Sequence, residues 1–191
     1  MIRPAALLIM LLFLFDSCAK QQTQQSSSSD KNTVGTDFRG NVSLSAGVTP
    51  VSVGNASDFY WYNSKGEKNS LGDLKGKTVL INFWATWCGP CKAELPDLEN
   101  LSKAYSSRGL VVVGVSVDRG ENLLTDVSEF ASRTGLTYQI VIDKDDIAGA
   151  YGNINAIPTS FLIGKNGKVI DKWIGMRDKA FFESTIKRYL D

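Results

Sequence analysis

The sequence has no histidine and only three cysteines among its 191 residues. A structural zinc site takes about four cysteine or histidine ligands, so this chain has too few of them. Haem attachment through C-x-x-C-H is excluded because Lys92 follows the only such cysteine pair. The formal net charge of +1 argues against electrostatic binding to nucleic acid. The apolar run at residues 5–15 is far shorter than the roughly 20 residues that span a bilayer.

This apolar run has the length of a signal-peptide core. Arg3 supplies the positive charge ahead of it, and Ser17-Cys18 at its end resembles a bacterial lipobox, in which the cysteine is lipidated. We therefore predict a signal peptide over residues 1–18 and a lipid anchor on Cys18. The alternative is a spare cysteine in a cleaved or uncleaved leader. The Gln- and Ser-rich composition that follows predicts a flexible linker over residues 19–50.

The other two cysteines lie in the strongest pattern of the chain. Residues 79–84 are apolar, β-branched or aromatic with one exception, which predicts a buried strand. Cys88-Gly89-Pro90-Cys91 follows, and good helix formers after it predict that a helix begins there. A helix amino terminus favours a thiolate. Redox chemistry is therefore preferred over a metal site, inert core thiols, or a structural disulfide, whose loop would be too short to stabilise much.

The rest of the chain alternates between predicted strands and helices. Residues 58–62 and 68–70 predict a hairpin, and residues 110–117 predict a second buried strand parallel to the first. The other predicted elements are helices at 91–107, 122–134, 147–151 and 178–190, and strands at 138–142, 158–163 and 168–174. This order predicts one α/β domain over residues 51–191, with a β-α-β half, an inserted α/β unit and a β-β-α half.

Residues 83–92, Phe-Trp-Ala-Thr-Trp-Cys-Gly-Pro-Cys-Lys, resemble the active site of thioredoxin-fold proteins. The continuation Ala-Glu-Leu-Pro at 93–96 narrows the resemblance to the TlpA/ResA-like thiol–disulfide oxidoreductases, which are exported relatives of thioredoxin. The resemblance implies a thioredoxin-like α/β fold with an N-terminal β-hairpin and a central α/β insertion. It also implies a redox-active Cys88–Cys91 disulfide, with no metal and no further cofactor.

The resemblance implies a catalytic role for three residues. Cys88 would attack a substrate disulfide, and Cys91 would resolve the mixed disulfide. Thioredoxins carry a buried aspartate in the preceding strand, but Asn82 occupies that position here and cannot titrate. Glu94, one helical turn after Cys91, is therefore predicted to accept the Cys91 proton. The alternative is an ordinary solvated glutamate on a helix surface.

The same resemblance implies a substrate-binding surface around the cysteines. Its predicted members are Trp87, Gly89, Pro90, Ile157, Pro158 and Thr159. The bond before Pro158 is expected to be cis, so that the backbone of Ile157 can pair with a substrate segment. The alternative for Pro158 is a proline that starts a strand.

These expectations combine into an extracytoplasmic, lipid-anchored monomer of the bacterial cell envelope that reduces protein disulfides. The substrates would be oxidised apocytochrome c or other exported proteins, and a membrane thiol-relay protein would donate the electrons. A thiol peroxidase of the same fold is one alternative, although its reactive cysteine normally lies in a Pro-x-x-x-Thr-x-x-Cys pattern. A lipoprotein without catalytic activity is the other.

Overall fold

Strand β5 (Thr78–Trp84) lies at the centre of the computed structural model, which describes residues 38–50 and 54–190. All of its side chains are buried because both faces of the sheet are covered. One face packs Leu80 and Trp84 against the long helices, and the other packs Ile81 and Phe83 against the hairpin and a short helix. This two-sided burial is the reason that the strand has no alternation of polar and apolar residues.

The elements follow the predicted order, with two strands added at the beginning. The strands are β1 (Phe38–Arg39), β2 (Val42–Thr49), β3 (Asp58–Tyr62), β4 (Lys68–Ser70), β5 (Thr78–Trp84), β6 (Leu110–Ser116), β7 (Gln139–Ile142), β8 (Thr159–Ile163) and β9 (Val169–Ile174). The helices are α1 (Gly89–Tyr105), α2 (Leu123–Thr134), α3 (Ile147–Ala150) and α4 (Lys179–Ile186), and short 3-10 turns lie at Gly72–Leu74 and Ser106–Arg108. Helix α4 ends at Ile186 rather than near Leu190.

The strands form one sheet in the order β4-β3-β2-β7-β6-β5-β8-β9, with β1 paired to β2. Strands β5, β6 and β7 are parallel, whereas β8 runs antiparallel to β5. The carboxyl ends of the three parallel strands therefore share one edge of the sheet. Helix α1 starts at that edge, and its buried residues Leu95, Leu98 and Leu101 hold it against the sheet. The helix continues through Pro96, which is exposed.

The prediction of a flexible linker up to residue 50 is wrong for residues 38–49. Strand β2 pairs with β7 in parallel and with β3 in antiparallel orientation, so it connects the hairpin to the central sheet. Val42 and Ser43 are almost completely buried there. The domain therefore begins at or before Phe38. The predicted signal peptide, the lipidation site Cys18 and the linker over residues 19–37 lie outside the described residues.

Within the described ranges, no helix combines the length and the hydropathy needed to cross a membrane.

Candidate active site

A tight turn at the end of β5 brings the cysteine pair to the edge of the sheet. The turn spans Ala85 to Cys88 and is closed by the Cys88 N–H, which donates to the Ala85 carbonyl at 3.1 Å. Helix α1 starts immediately after it, with Cys88 as its N-cap residue. Trp87, which directly precedes Cys88 in this turn, is 68% exposed.

The two cysteines form a disulfide with an S–S distance of 2.00 Å, as the resemblance implies. The Cys88 sulfur also accepts a hydrogen bond from the Cys91 N–H at 3.2 Å, so it occupies the position of an N-capping group. Cys88 is 5% exposed and Cys91 is 1% exposed. Cys88 is therefore the slightly more exposed residue of the pair, although both are largely covered in this oxidised form.

The peptide bond between Ile157 and Pro158 is cis, as predicted. The Ile157 carbonyl oxygen lies 3.8 Å from the Cys88 sulfur. The Pro158 carbonyl accepts a hydrogen bond from the Gly175 N–H at 2.8 Å, which fixes the loop after β9 beside the cis bond. The backbone of Ile157 is thus held directly against the disulfide.

The predicted substrate surface is only partly at the surface. Trp87, Gly89 and Pro90 are exposed and Ile157 is half-buried. Pro158 and Thr159 are buried, and the Thr159 hydroxyl donates to the Ala156 carbonyl at 2.7 Å. The side chain of Thr159 is therefore not exposed, because β8 pairs with β5 at this residue and holds it inside the sheet.

Met176 is an exposed apolar residue on the loop after β9, and its sequence context gave no signal for it. It is 50% exposed and lies between Gly175, which bonds to the Pro158 carbonyl, and Arg177, whose N–H bonds to Glu94. The loop that carries Met176 is therefore tied on one side to the cis-proline segment and on the other to α1.

Glu94 is 2% exposed, so it is not a solvated surface glutamate. Its Oε1 accepts a hydrogen bond from the Asn82 amide at 2.8 Å, and its Oε2 accepts one from the Arg177 backbone N–H at 2.7 Å. Burial raises the pKa of Glu94 from 4.5 to about 7, although the hydrogen bonds from Arg177 and Asn82 and the Arg177 charge partly oppose this. A carboxyl with that pKa exchanges its proton near neutral pH, which suits a general acid or base.

Asn82 connects this carboxylate to the neighbouring strand. Its amide nitrogen donates both to Glu94 and, at 2.9 Å, to the Ser160 hydroxyl on β8. An amide does not titrate in the physiological range, so the titrating group in this buried network is Glu94. In the part of the chain that the structure describes, no group of three or more His, Cys, Asp or Glu side chains could hold a metal ion.

Comparison with known proteins agrees with this geometry. The sequence model of the AhpC/TSA family matches residues 53–172. Among curated proteins, the thiol-disulfide oxidoreductase ResA of Geobacillus kaustophilus is 46% identical over 123 residues, which cover 63% of this chain and 68% of that protein. The thioredoxin-like protein YneN of Bacillus subtilis is 40% identical over 131 residues, which cover 69% of this chain and 76% of YneN.

Two solved structures have the same fold. A thiol:disulfide interchange protein of the thioredoxin family from Chlorobium tepidum superposes with a TM-score of 0.64 at 33% identity, over 73% of this chain and 97% of that one. StoA from Bacillus subtilis superposes with a TM-score of 0.59 at 30% identity, over 69% of this chain and 97% of StoA.

The chain belongs to the ResA/TlpA-like thiol–disulfide oxidoreductases of the thioredoxin superfamily. Its fold is accordingly thioredoxin-like, and its activity is that of an oxidoreductase. The redox-active element in such proteins is a cysteine pair, and this ResA-like chain has the Cys88–Cys91 disulfide at the end of its central strand.

Proposed function

We propose that this ResA-like protein reduces disulfide bonds of exported proteins while a lipid anchor on Cys18 holds it at a membrane of the cell envelope. Oxidised apocytochrome c is one candidate substrate. The reduced form would be regenerated by a membrane thiol-relay protein, and the domain would act as a monomer. The observation that carries the redox assignment is the Cys88–Cys91 disulfide at the amino terminus of α1, with the Ile157 carbonyl on one side and buried Glu94 one turn along the helix.

In the reduced protein, Cys88 is the attacking sulfur. Its thiolate lies at the helix amino terminus, where the Cys91 N–H already points at the sulfur and the helix dipole stabilises negative charge. The thiolate attacks one sulfur of the substrate disulfide, a Cys88–substrate disulfide forms, and the other substrate sulfur leaves as a thiolate.

Cys91 then completes the exchange. Its thiol gives up a proton to Glu94, and the resulting thiolate attacks the Cys88 sulfur of the mixed disulfide. The Cys88–Cys91 disulfide forms and the second substrate sulfur leaves as a thiolate, so that two electrons have passed from the protein to the substrate. Supporting this role, Glu94 is buried, lies one helical turn from Cys91 and has a pKa of about 7.

The exposed surface around the cysteines suits a protein substrate. Trp87, directly before Cys88, and Met176, on the loop that bonds to Pro158, present large apolar side chains that a protein substrate could cover. An extended substrate segment could pair with the Ile157 backbone and so bring its disulfide in line with Cys88.

The thiol peroxidase alternative receives no support from the residues around Cys88. In the Pro-x-x-x-Thr-x-x-Cys pattern of those enzymes, the proline and threonine positions correspond here to Ile81 and Ala85. Both are buried apolar residues. Neither could hydrogen-bond a peroxide through its side chain.

Trapping the mixed disulfide tests the proposal. Cys91→Ser removes the resolving thiol, so covalent complexes between Cys88 and exported proteins should accumulate and should disappear on reduction. Mass spectrometry would then identify the partners. Cys88→Ser is the matched control and should trap nothing. Equal trapping by both variants, or none by Cys91→Ser, would rule out Cys88 as the attacking sulfur.

A further inference from the structure

The turn at Ala85–Cys88 determines where both Trp87 and Cys88 lie. Its Cys88 end is held by α1 and the disulfide, and its corner residue Thr86 is held from outside both β5 and α1. The hydroxyl and the N–H of Thr86 both donate to the carboxylate of Asp118. Asp118 lies just after the end of β6, the strand that pairs in parallel with β5. The turn is therefore attached to a carboxylate that is distant in sequence and belongs to a different element.

The Asp118 carboxylate receives hydrogen bonds on both oxygens. Its Oδ1 accepts from the Thr86 hydroxyl at 2.6 Å and from the Thr86 N–H at 3.2 Å. Its Oδ2 accepts from the same N–H at 3.0 Å and from the Ser116 hydroxyl at 2.7 Å. Asp118 is 6% exposed. A carboxylate accepts all of these bonds. An amide would keep only one oxygen, and its nitrogen, although it could donate to a hydroxyl, would face the Thr86 N–H, which cannot accept.

We infer that Asp118 is a positioning residue for the thiol–disulfide reaction: by holding Thr86, it fixes the turn that sets Cys88 against Cys91. This inference rests on the proposed redox role of the cysteine pair. It goes beyond that role because the Asp118 carboxylate bonds to Thr86 and Ser116 rather than to a sulfur, and so acts through Thr86.

Two physical effects of Asp118 favour the disulfide over the dithiol. A fixed turn keeps the Cys88 sulfur within bonding distance of Cys91, and loosening it would lower the effective concentration of one thiol at the other. A negative charge close to the turn also opposes formation of a Cys88 thiolate. Both effects make the disulfide more stable and the protein a stronger reductant, so their loss should make the reduction potential less negative.

The experiment compares Asp118→Asn with Asp143→Asn in the full-length protein. Asp143 is a matched control because it is also buried, at 2% exposed, and also follows a strand at the same edge of the sheet. Its carboxylate caps α3 instead, through the N–H groups of Ile147 and Ala148 at 2.7 and 3.1 Å. Asp143→Asn also removes the charge that faces Arg119. In both variants, the Arg119 side chain can keep its hydrogen bonds to the backbone carbonyls of Asp118 and Asp143.

Each variant is equilibrated with glutathione buffers, and the fraction of the Cys88–Cys91 disulfide is measured by thiol trapping. For Asp118→Asn we expect the equilibrium to shift at least tenfold towards the dithiol, which corresponds to about 30 mV. For Asp143→Asn we expect a change below twofold, together with lower stability in urea. An Asp118→Asn shift no larger than that of Asp143→Asn would overturn the inference.

Thr86→Val separates positioning from charge. It removes the 2.6 Å hydroxyl bond, keeps the Thr86 N–H and leaves the Asp118 charge in place. We expect a shift in the same direction as for Asp118→Asn, and this variant carries the test if Asp118→Asn does not fold. No shift in Thr86→Val would overturn the positioning role. The potential does not depend on which cysteine attacks the substrate, so failure of the trapping experiment is distinguishable from failure here.

Discussion

Glu94 shows how burial turns a common helix residue into a titrating group for neutral pH. Two donors, Asn82 and the Arg177 N–H, stabilise its charged form, yet burial is the larger effect on its pKa. The position of Glu94 one turn after Cys91 was predictable from spacing. Its burial was not, because it depends on a loop that is far away in sequence and packs against α1 through the Glu94–Arg177 bond.

Replacing Glu94 by glutamine should slow the step in which Cys91 resolves the mixed disulfide. In Glu94→Gln, the Cys91 thiol loses its proton acceptor, and general-base catalysis is typically worth about 10²–10⁴-fold. We expect release of the mixed disulfide to slow by at least tenfold at pH 7, while the first attack by Cys88 is almost unchanged. Stopped-flow tryptophan fluorescence measures both rates. Glu99→Gln is the control, since Glu99 is also buried on α1 but bonds to Thr137 and Lys103. Wild-type release rates in Glu94→Gln from pH 5 to 9 would exclude Glu94 as the base.

The same carboxyl should make stability depend on pH. The pKa of Glu94 is about 7 in the folded protein, whereas its ordinary value, which applies to the unfolded chain, is 4.5. Between pH 4.5 and 7, the Glu94 carboxyl is therefore more protonated in the folded state than in the unfolded state. The free energy of unfolding should therefore fall as pH rises from about 4.5 to 7 and then level off, by up to about 3 kcal/mol. Urea unfolding of the oxidised protein between pH 5 and 8 measures this slope.

Glu94→Gln should flatten that slope, whereas Glu99→Gln should keep it. The pKa of Glu99 is lowered by hydrogen bonds from Lys103 and Thr137 and the Lys103 charge, which outweigh its burial, so its contribution to stability is lost only on acidification through the range below 4.5. An identical slope in wild type and Glu94→Gln would show that Glu94 does not titrate in this window.

At the scale of elements, the start of α1 distinguishes the two cysteines. Cys88 occupies the N-cap position, where the Cys91 N–H points at its sulfur, whereas Cys91 lies inside the helix and is almost completely buried. In the reduced protein, Cys88 should therefore react with iodoacetamide well below the ordinary thiol pKa of about 8.5, and Cys91 at least tenfold more slowly. Peptide mass spectrometry of partly alkylated protein measures the two rates, with urea-unfolded protein as the control. Equal rates in the folded protein would contradict this assignment.

Strand β2, with the short β1 before it, is the part of the sheet that sequence analysis missed. Apolar residues do alternate with polar or small ones over 42–49, which is a strand signal, but the Gln- and Ser-rich composition just before it favours a linker. Apart from its short local pairing with β1, β2 is stabilised by contacts with segments farther along the chain. Asn41 donates to carbonyls of Leu136 and Tyr138, and the Ser45 hydroxyl bonds to Asp145. Patterns within a short window carry no information on such partners.

The domain boundary can be tested by truncation. A chain that starts at residue 51 lacks β2, so β7 loses one of its two parallel partners and the Ser45–Asp145 contact disappears. We expect it to aggregate or to unfold at a clearly lower urea concentration than a chain that starts at residue 38, because an exposed strand edge and lost burial both destabilise the fold. Equal stability of the two chains would show that β2 is dispensable. Ser45→Ala is a milder variant and should cost about 1–3 kcal/mol.

At the scale of the whole molecule, the strand and helix patterns predicted the architecture because most elements have strong local signals. The parallel β5 and β6, the final hairpin of β8 and β9, and the cysteine pair at the start of α1 all lie where the patterns placed them. The contacts that define the candidate site have no such local signal in the sequence. The Glu94–Arg177 and Thr86–Asp118 hydrogen bonds join segments that are far apart in sequence and lie together in the folded sheet.

The last prediction concerns how the folded domain is held in the cell. If Cys18 carries a lipid, labelling cells with a radioactive fatty acid should mark the wild-type protein, and Cys18→Ser should abolish the label and move the protein to the soluble fraction. Because Cys18 lies outside the thioredoxin-like domain, the purified Cys18→Ser protein should reduce a model disulfide at the wild-type rate. Cys88→Ser is the opposite control: it should keep the lipid label and lose turnover. The absence of label in wild type would contradict lipidation and would leave the redox assignment of Cys88 and Cys91 intact.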